Sequence, residues 1–327
     1  MKPRALMVTP TLGEKEGCGV GLYGKHWATA LLEAEDFDFA VLYTDSMQET
    51  LNTIYNLQPD IVFYMWNRIA SGWMENPVIK QIFPRIKHVN ICVDTITQQE
   101  VVDNFSPEHH NGGFDYLLVC NPTLVGNDRV FVSSKLLPPA PTIPEYTGDF
   151  PIIGYHGFAL GYKGIARLAS VINDEFDECI FRLHMPRSWF MDHHGQETAQ
   201  RKFEISNIIT KPGIKVEYTH HMMEPQEMVN WLSQNTINCY FYDRMDHAAL
   251  ASSTDYALAA RRPIAVSRTN YFKDFFNCNP SVIINEPHSL REIIANGIEP
   301  LKHLHESYTK ENFIKNWSDA VKHFLSL

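Results

Sequence analysis

One pattern governs what this chain can fold into. Short, almost wholly apolar runs alternate with stretches of helical spacing from residue 5 to residue 284. The runs fall at residues 5–9, 39–44, 60–66, 89–93, 116–120 and 130–136, then at 152–155, 179–184, 214–218, 236–242, 264–267 and 282–284. A strand that is apolar on both faces belongs in a sheet covered on both sides, and intervening helices make the pairing parallel. The alternation breaks once, where Pro138, Pro139, Pro141, Pro144 and Pro151 crowd residues 137–151. Proline lacks the backbone donor that a helix or inner strand needs, so this stretch reads as an interdomain linker. The expected fold class is α/β, with two doubly wound Rossmann-like domains facing a cleft. They span residues 1–145 and 150–307, followed by an amphipathic helix over 310–325.

Composition narrows the function classes. At 327 residues the chain is long enough for two domains of ordinary size. A formal net charge of −10 gives no global attraction to nucleic acid or to an anionic membrane. Cys18, Cys92, Cys120, Cys179, Cys239 and Cys278 are scattered with no CxxC pair, so reduced thiols are expected rather than disulfides or a zinc site. His109–His110, His193–His194 and His220–His221 lack a ligand set and read as solvated loops. No apolar run reaches membrane-spanning length, and the first residues pass straight into a strand. The expectation is a soluble cytoplasmic protein.

Three segments carry candidate chemistry. Gly13, Gly17, Gly19, Gly21 and Gly24 follow the first run, and Gly19 to Gly24 spell GxGxxG, with Asp45 near the end of the next run. That fingerprint belongs in the tight turn directly after the first strand of a dinucleotide fold. Here the segment TLGEKEGC intervenes, so a glycine loop overhanging the cleft, then an amphipathic helix over 22–33, is the expected arrangement. The second segment is GFALGYKG, residues 157–164, between a strand and a helix reaching about residue 172. Its Lys163 can reach a diphosphate at the sheet edge, while the glycines clear the path; the plain alternative is a solvated lysine at a helix start. The third segment, residues 243–267, offers Ser252, Ser253 and Thr254 where a helix over 254–260 should begin. Their hydroxyls and the free N–H groups behind them are expected to converge on a spot suited to phosphate, with Asp255 able to accept from sugar hydroxyls. A well-capped helix between two buried strands is the plain alternative.

GFALGYKG, SSTDYALAARRPIAVS, the glycine-rich loop and the final helix together resemble the nucleotide-sugar-dependent glycosyltransferases of the GT-B fold. The likeness is strongest to the large retaining family with paired glutamates in its second domain, and it runs in order over most of the chain. It implies transfer of a sugar from a nucleoside-diphosphate sugar to an acceptor hydroxyl. Helix dipoles and basic side chains, not a metal, would meet the charge of the leaving diphosphate, and no cofactor is implied beyond the co-substrate. It also implies that the last helix, 308–327, packs back on the first domain. Lys163 matches the family's diphosphate-binding lysine, but the arginine that precedes it in relatives is absent, with Phe158 or His156 in that region. Asp255 falls on the second glutamate, the ribose partner, and His247 stands eight residues earlier with Asp246 beside it. Asp94 occupies the turn where many members carry a histidine.

The resemblance therefore implies catalytic roles for Asp94, His247 and Lys163. It implies donor binding by Gly19, Gly21, Lys163, Ser252, Ser253, Thr254 and Asp255. Trp66 and Asn67, ending the third strand, are placed on the acceptor surface, and no metal ligands are expected. The acceptor class stays open among a glycan, a small molecule and a modified nucleic acid. Two other classes remain: a dinucleotide-dependent oxidoreductase, favoured by GxGxxG and Asp45, and a non-catalytic nucleotide-sugar-binding protein, favoured by His247 and Asp94 at altered positions.

Overall fold

The computed structural model describes residues 2–11, 19–67, 71–75, 77–93, 97–103, 114–188, 192–243 and 250–327. The chain divides into two compact units. Among the described residues, unit 1 comprises those within 2–136 and 307–327, and unit 2 those within 137–243 and 250–306.

Unit 1 is a parallel sheet of β1 (Arg4–Thr9), β2 (Asp38–Tyr43), β3 (Ile61–Tyr64), β4 (Lys87–Cys92), β5 (Tyr116–Val119) and β6 (Val130–Val132). The strand order is β2-β1-β3-β4-β5-β6. Side chains alternate across a strand, and here both alternating sets are buried. Ala5 and Met7 of β1, with Ile61 and Phe63 of β3, enter one core with Trp27 and Leu31 of α1 (Gly19–Leu31). Phe313, Trp317, Val321 and Phe324 of the last helix (Lys310–Ser326) complete that core. Leu6, Val8, Val62 and Tyr64 point the other way, against Ile54 of α2 (Met47–Leu57) and Ile79 of α3 (Pro77–Ile82). Helix α2 begins where the sequence signals it, because the Ser46 hydroxyl accepts the Glu49 N–H. A short α4 (Gln98–Val102) adds Val101 to a third cluster with Leu117 and Val119.

Unit 2 is a second parallel sheet, of β7 (Ile152–His156), β8 (Glu178–His184), β9 (Gly213–Thr219), β10 (Ile237–Tyr240) and β11 (Ile264–Val266). Its order is β11-β10-β7-β8-β9. Its helices are α5 (Ile165–Glu175), α6 (Gln196–Ile208), α7 (Pro225–Ser233), α8 (Ser253–Ala259), α9 (Leu290–Asn296) and α10 (Lys302–Ser307). The run at 282–284, expected as a strand between Pro280 and Pro287, makes only isolated bridges, Val266 to Ile283 and Ile284 to His288.

The proline-rich stretch forms no helix or strand, but it is not a free tether. Leu137 packs with Met223, Met228 and Leu232 of unit 2. The Thr142 N–H donates to Asn230 at 2.9 Å, and Gln226, Gln234 and Arg262 donate to the carbonyls of Ala140, Pro144 and Tyr146. These carbonyls have no ladder partners, so side chains of unit 2 take them, and the division between the two units falls at Leu136–Leu137. Cys179, Cys239 and Cys278 are buried thiols outside any disulfide. No helix of the described residues is long and apolar enough to cross a membrane.

Candidate functional site

In unit 2 the chain lays down β7, β8 and β9 side by side, then returns to place β10 on the opposite flank of β7. The strand order thus reverses between β7 and β10, and doubly wound sheets bind ligands outside the carboxyl ends of the strands at such a point. His156 ends β7 there, and Tyr240 ends β10, joined by a 2.8 Å hydrogen bond between His156 Nδ1 and the Tyr240 hydroxyl. Burial, helped by nearby His184 and Lys163, pushes the His156 imidazole down to about 3, so the ring is neutral at physiological pH.

The chain leaves β7 through Gly157, turns through a 3₁₀ segment at Gly161–Lys163, and enters α5 through Gly164. Gly164 has φ 63°, and a Cβ there would meet the Phe241 carbonyl oxygen at 1.8 Å. No other residue fits that corner without displacing the backbone. The turn sets the Lys163 ammonium 3.8 Å from the centre of the Tyr242 ring and 5.1 Å from that of Tyr162. Desolvation lowers Lys163 to about 8, against the partial offset of Tyr162. Among the described residues no carboxylate forms an ion pair with it.

Helix α8 supplies the other predicted groups, in a different arrangement from that expected. The three hydroxyls do not converge. Ser252 is exposed, has helical dihedrals (φ −63°, ψ −25°) and makes no capping bond with its side chain. Ser253 is buried and bonds the Tyr242 hydroxyl at 2.8 Å. Thr254 turns its hydroxyl back to the Ala251 carbonyl at 2.6 Å. Two of the three hydroxyls are engaged inside the protein, and the N–H groups of Thr254 and Asp255 donate to the carbonyls of Ala251 and Ser252, so the expected set of free donors is largely used within the protein. Asp255 is 3% exposed, and its charge bears on Tyr240 and Tyr256, raising both phenols in addition to the effect of burial. The Tyr256 ring lies edge-on to His156 at 5.8 Å. Lys163, His156, Ser253 and Asp255 are therefore gathered around three tyrosines at one end of one sheet.

The candidates in unit 1 fare differently. Gly19 and Gly21 are not in a loop: α1 starts at Gly19, three residues before the expected start at Leu22. Gly21 and Gly24 are buried, and a Cβ on Gly24 would meet Thr9 Oγ1 at 2.0 Å. The glycines let α1 lie close on the end of β1, a packing gain that overrides their poor helix propensity. The fingerprint therefore sits inside a helix, separated from β1 by residues 10–18, and not in a strand-to-helix turn. Trp66 is packed with Tyr64, Met74 and Phe114 rather than displayed on an acceptor surface. Asn67 is half-buried, and its N–H and carbonyl engage Ser71. Asp94, Asp246, His247, Gly13 and Gly17 lie outside the described residues. Among those described, no three His, Cys, Asp or Glu side chains gather as a metal-ligand set.

The sequence reading missed Tyr240, Tyr242 and Arg167. Tyr240 and Tyr242 stand two apart in CYFYD, on one side of an extended segment, a signal taken only as apolar strand character. Arg167 sits four residues beyond Lys163, in the first turn of α5, and donates to the carbonyls of Phe241 and Tyr242.

No protein-family model matches the chain, and no curated protein matches it in sequence. Solved structures do. An α,α-trehalose-phosphate synthase (UDP-forming) from Burkholderia xenovorans, in complex with glucose-6-phosphate, aligns over 100% of both chains with a TM-score of 0.64 at 10% identity. The chain has the GT-B fold. A glycosyltransferase from Rickettsia africae aligns over 99% of this chain and 93% of its own, with a TM-score of 0.54 at 14% identity. Anabaena HepE, in complex with UDP-glucose, aligns over 99% and 97%, with a TM-score of 0.55 at 10% identity.

Proposed function

We propose that this GT-B protein is a glycosyltransferase that holds a nucleoside-diphosphate sugar on unit 2 and transfers the sugar to an acceptor hydroxyl. The observation that carries this reading is Lys163: a desolvated ammonium at the switch point of a parallel sheet, resting on aromatic rings and, among the described residues, with no carboxylate partner. A desolvated, half-buried cation is costly, and a diphosphate is a ligand that would neutralise it through charge-assisted hydrogen bonds. Asp255, the third residue of the adjacent α8, is the ribose partner in this reading. The structural likeness to HepE, which is seen with UDP-glucose, and to a UDP-forming synthase supports a uridine nucleotide as the first donor to try.

In the reaction the acceptor oxygen forms a bond to the anomeric carbon as the bond to the diphosphate oxygen breaks, and the hydroxyl proton of the acceptor passes to the leaving diphosphate. Lys163 and the backbone N–H groups meet the charge that develops on the leaving group, with no metal step invoked. Retention of configuration follows from the likeness to the retaining family, with His247 and Asp94 assigned to the sugar side. Unit 1 is assigned the acceptor, and Asn67 keeps a place there while Trp66 supports it from the core.

The test is calorimetry of UDP and UDP-glucose with the whole chain, followed by transfer to a panel of hydroxyl acceptors with NMR of the first anomer formed. UDP binding with sugar transfer supports the reading. UDP-glucose binding with no turnover on any acceptor favours a nucleotide-sugar-binding protein, consistent with the histidine in place of the first glutamate. Binding of no nucleoside diphosphate overturns the reading.

A further inference from the structure

Six contacts of the site meet on one residue that no motif singled out. Tyr242, 1% exposed, follows β10 at the switch point. Its ring is the surface on which the Lys163 ammonium rests, at 3.8 Å. Its hydroxyl bonds Ser253 Oγ of α8 at 2.8 Å. Its carbonyl accepts from the Arg167 guanidinium of α5 at 2.9 Å and from Ser267 Oγ after β11 at 2.7 Å. The ring is itself wedged against Phe272 at 4.9 Å and Tyr271 at 5.2 Å. A carbonyl held by two donors cannot rotate, and a ring packed on two sides cannot tilt. The hydroxyl then has one direction, toward α8.

We infer that Tyr242 is the positioning residue of the donor site: it couples the lysine corner after β7 to Ser253 of α8, so that the cation keeps one place and one direction for a diphosphate. The inference rests on the donor reading above and extends it to a residue that need not touch the donor. Arg167 and Ser267 act through Tyr242, anchoring its backbone. The coupling also accounts for how Lys163 is held where no described carboxylate pairs with it: the ring quadrupole attracts the ammonium without neutralising it, leaving its charge for a ligand. Tyr242 remains a neutral phenol, because burial raises it well above the usual range despite the Ser253 hydrogen bond.

The groups that bear on Lys163 come from several elements. Tyr162 faces it from its own turn, Tyr242 from the segment after β10, and His156 from the end of β7. Tyr271 stacks on Tyr162 at 6.0 Å, and beyond the Tyr242 carbonyl lie Arg167 and, 3.9 Å from it, Asp243.

Two measurements separate this role from mere packing. NMR titration of lysine labelled at Cε, without nucleotide, reads Lys163 directly in the parent, Tyr242→Phe and Tyr242→Leu. The parent and the Phe variant, which keeps the ring, should titrate together near 8. In the Leu variant the apolar contact remains but the quadrupole is gone, so the midpoint should fall by roughly half a pH unit or more. Calorimetry with UDP reads the other arm. Tyr242→Phe and Ser253→Ala should each weaken UDP about fivefold, the double variant no further, and Tyr242→Leu about thirtyfold. Melting curves on Tyr242→Phe, which conserves volume, confirm that the fold is retained. An unmoved Lys163 midpoint in Tyr242→Leu, or independent multiplying losses in Tyr242→Phe and Ser253→Ala, overturns the positioning role while leaving the donor site intact. Failure of the parent to bind UDP or any other nucleoside diphosphate overturns the donor reading and this inference with it.

Discussion

Replacing Lys163 by methionine should stabilise the free protein and cripple nucleotide binding. Lys163 is lowered from its ordinary 10.5 to about 8 by desolvation. At 1.36 kcal/mol per pH unit, that corresponds to about 3 kcal/mol of unfavourable burial for the charged form. Methionine keeps the straight apolar stem and removes the charge, but it loses the ring contact, worth about 1 kcal/mol. A net gain of about 1–2 kcal/mol in the free protein is expected at pH 7. For a unit of this size each kcal/mol moves the melting temperature by about 2–4 °C, so the transition of unit 2 should rise by roughly 2–8 °C. The folded-state value lies below the unfolded one. The unfolded chain therefore binds more protons between pH 8 and pH 10.5, and the parent gains stability across that window. The penalty is fully present below about pH 8 and is relieved as pH approaches 10.5, where the variant's advantage should vanish. UDP affinity should fall by about 1.5–3 kcal/mol, or roughly 10- to 150-fold, the size of a charge-assisted hydrogen bond. Differential scanning calorimetry at pH 7 and 10.5, with UDP titrations at pH 7, makes both readings. A lowered melting temperature with unchanged UDP affinity would falsify the account of Lys163 as a cation kept buried for a ligand.

Three further outcomes are expected. Asp255→Asn, which keeps the shape of the side chain, should lower UDP affinity about tenfold or more if the carboxylate holds ribose hydroxyls, as a lost hydrogen bond to a charged group would; a change confined to about 0.3–1 kcal/mol of stability would leave Asp255 as a first-turn acid only. Gly164→Ala should destabilise unit 2 by more than about 1 kcal/mol, because φ 63° and the Phe241 carbonyl both exclude a Cβ, and an unchanged melting curve would contradict the described corner. Trp317→Ala should cost about 3–5 kcal/mol in unit 1, where the indole packs on Phe63 at 4.7 Å and Trp27 at 6.4 Å; a loss below 1 kcal/mol in denaturant unfolding would mean that the last helix is not part of that core.

The parts of the site that were legible in the sequence are those with a local cause. Lys163 could be found because glycines and a strand-to-helix junction surround it, and the structure shows why: Gly164 must adopt a left-handed backbone against Phe241. Asp255 could be found because a run of hydroxyl residues precedes a helical stretch. The glycines from 19 to 24 misled the reading. Glycine lowers helix propensity and spells a loop, whereas Gly24 serves close approach of α1 to Thr9. Trp66 misled it in the same way: the end of a strand in sequence is not an exposed position once Tyr64, Met74 and Phe114 close around it.

The sequence by itself determined the two parallel sheets, because an all-apolar strand has no other stable home. The proof is local: odd and even residues of β1 feed two different cores. The five prolines in residues 137–151 also exclude regular structure there, although the division between units falls before them, at Leu136–Leu137. What only the tertiary structure decided is which hydroxyls face a ligand and which are engaged inside the protein. Ser252, Ser253 and Thr254 are equivalent as letters. They part because Tyr242, eleven residues before Ser253, reaches its hydroxyl, while Thr254 closes on Ala251 and Ser252 stays outside. The same holds for Lys163 and Tyr242, 79 positions apart in the sequence and 3.8 Å apart in space. Strand pairing at the switch point brings β7 and β10 together, and only that long-range choice turns a lysine after one strand and a tyrosine after another into a single site.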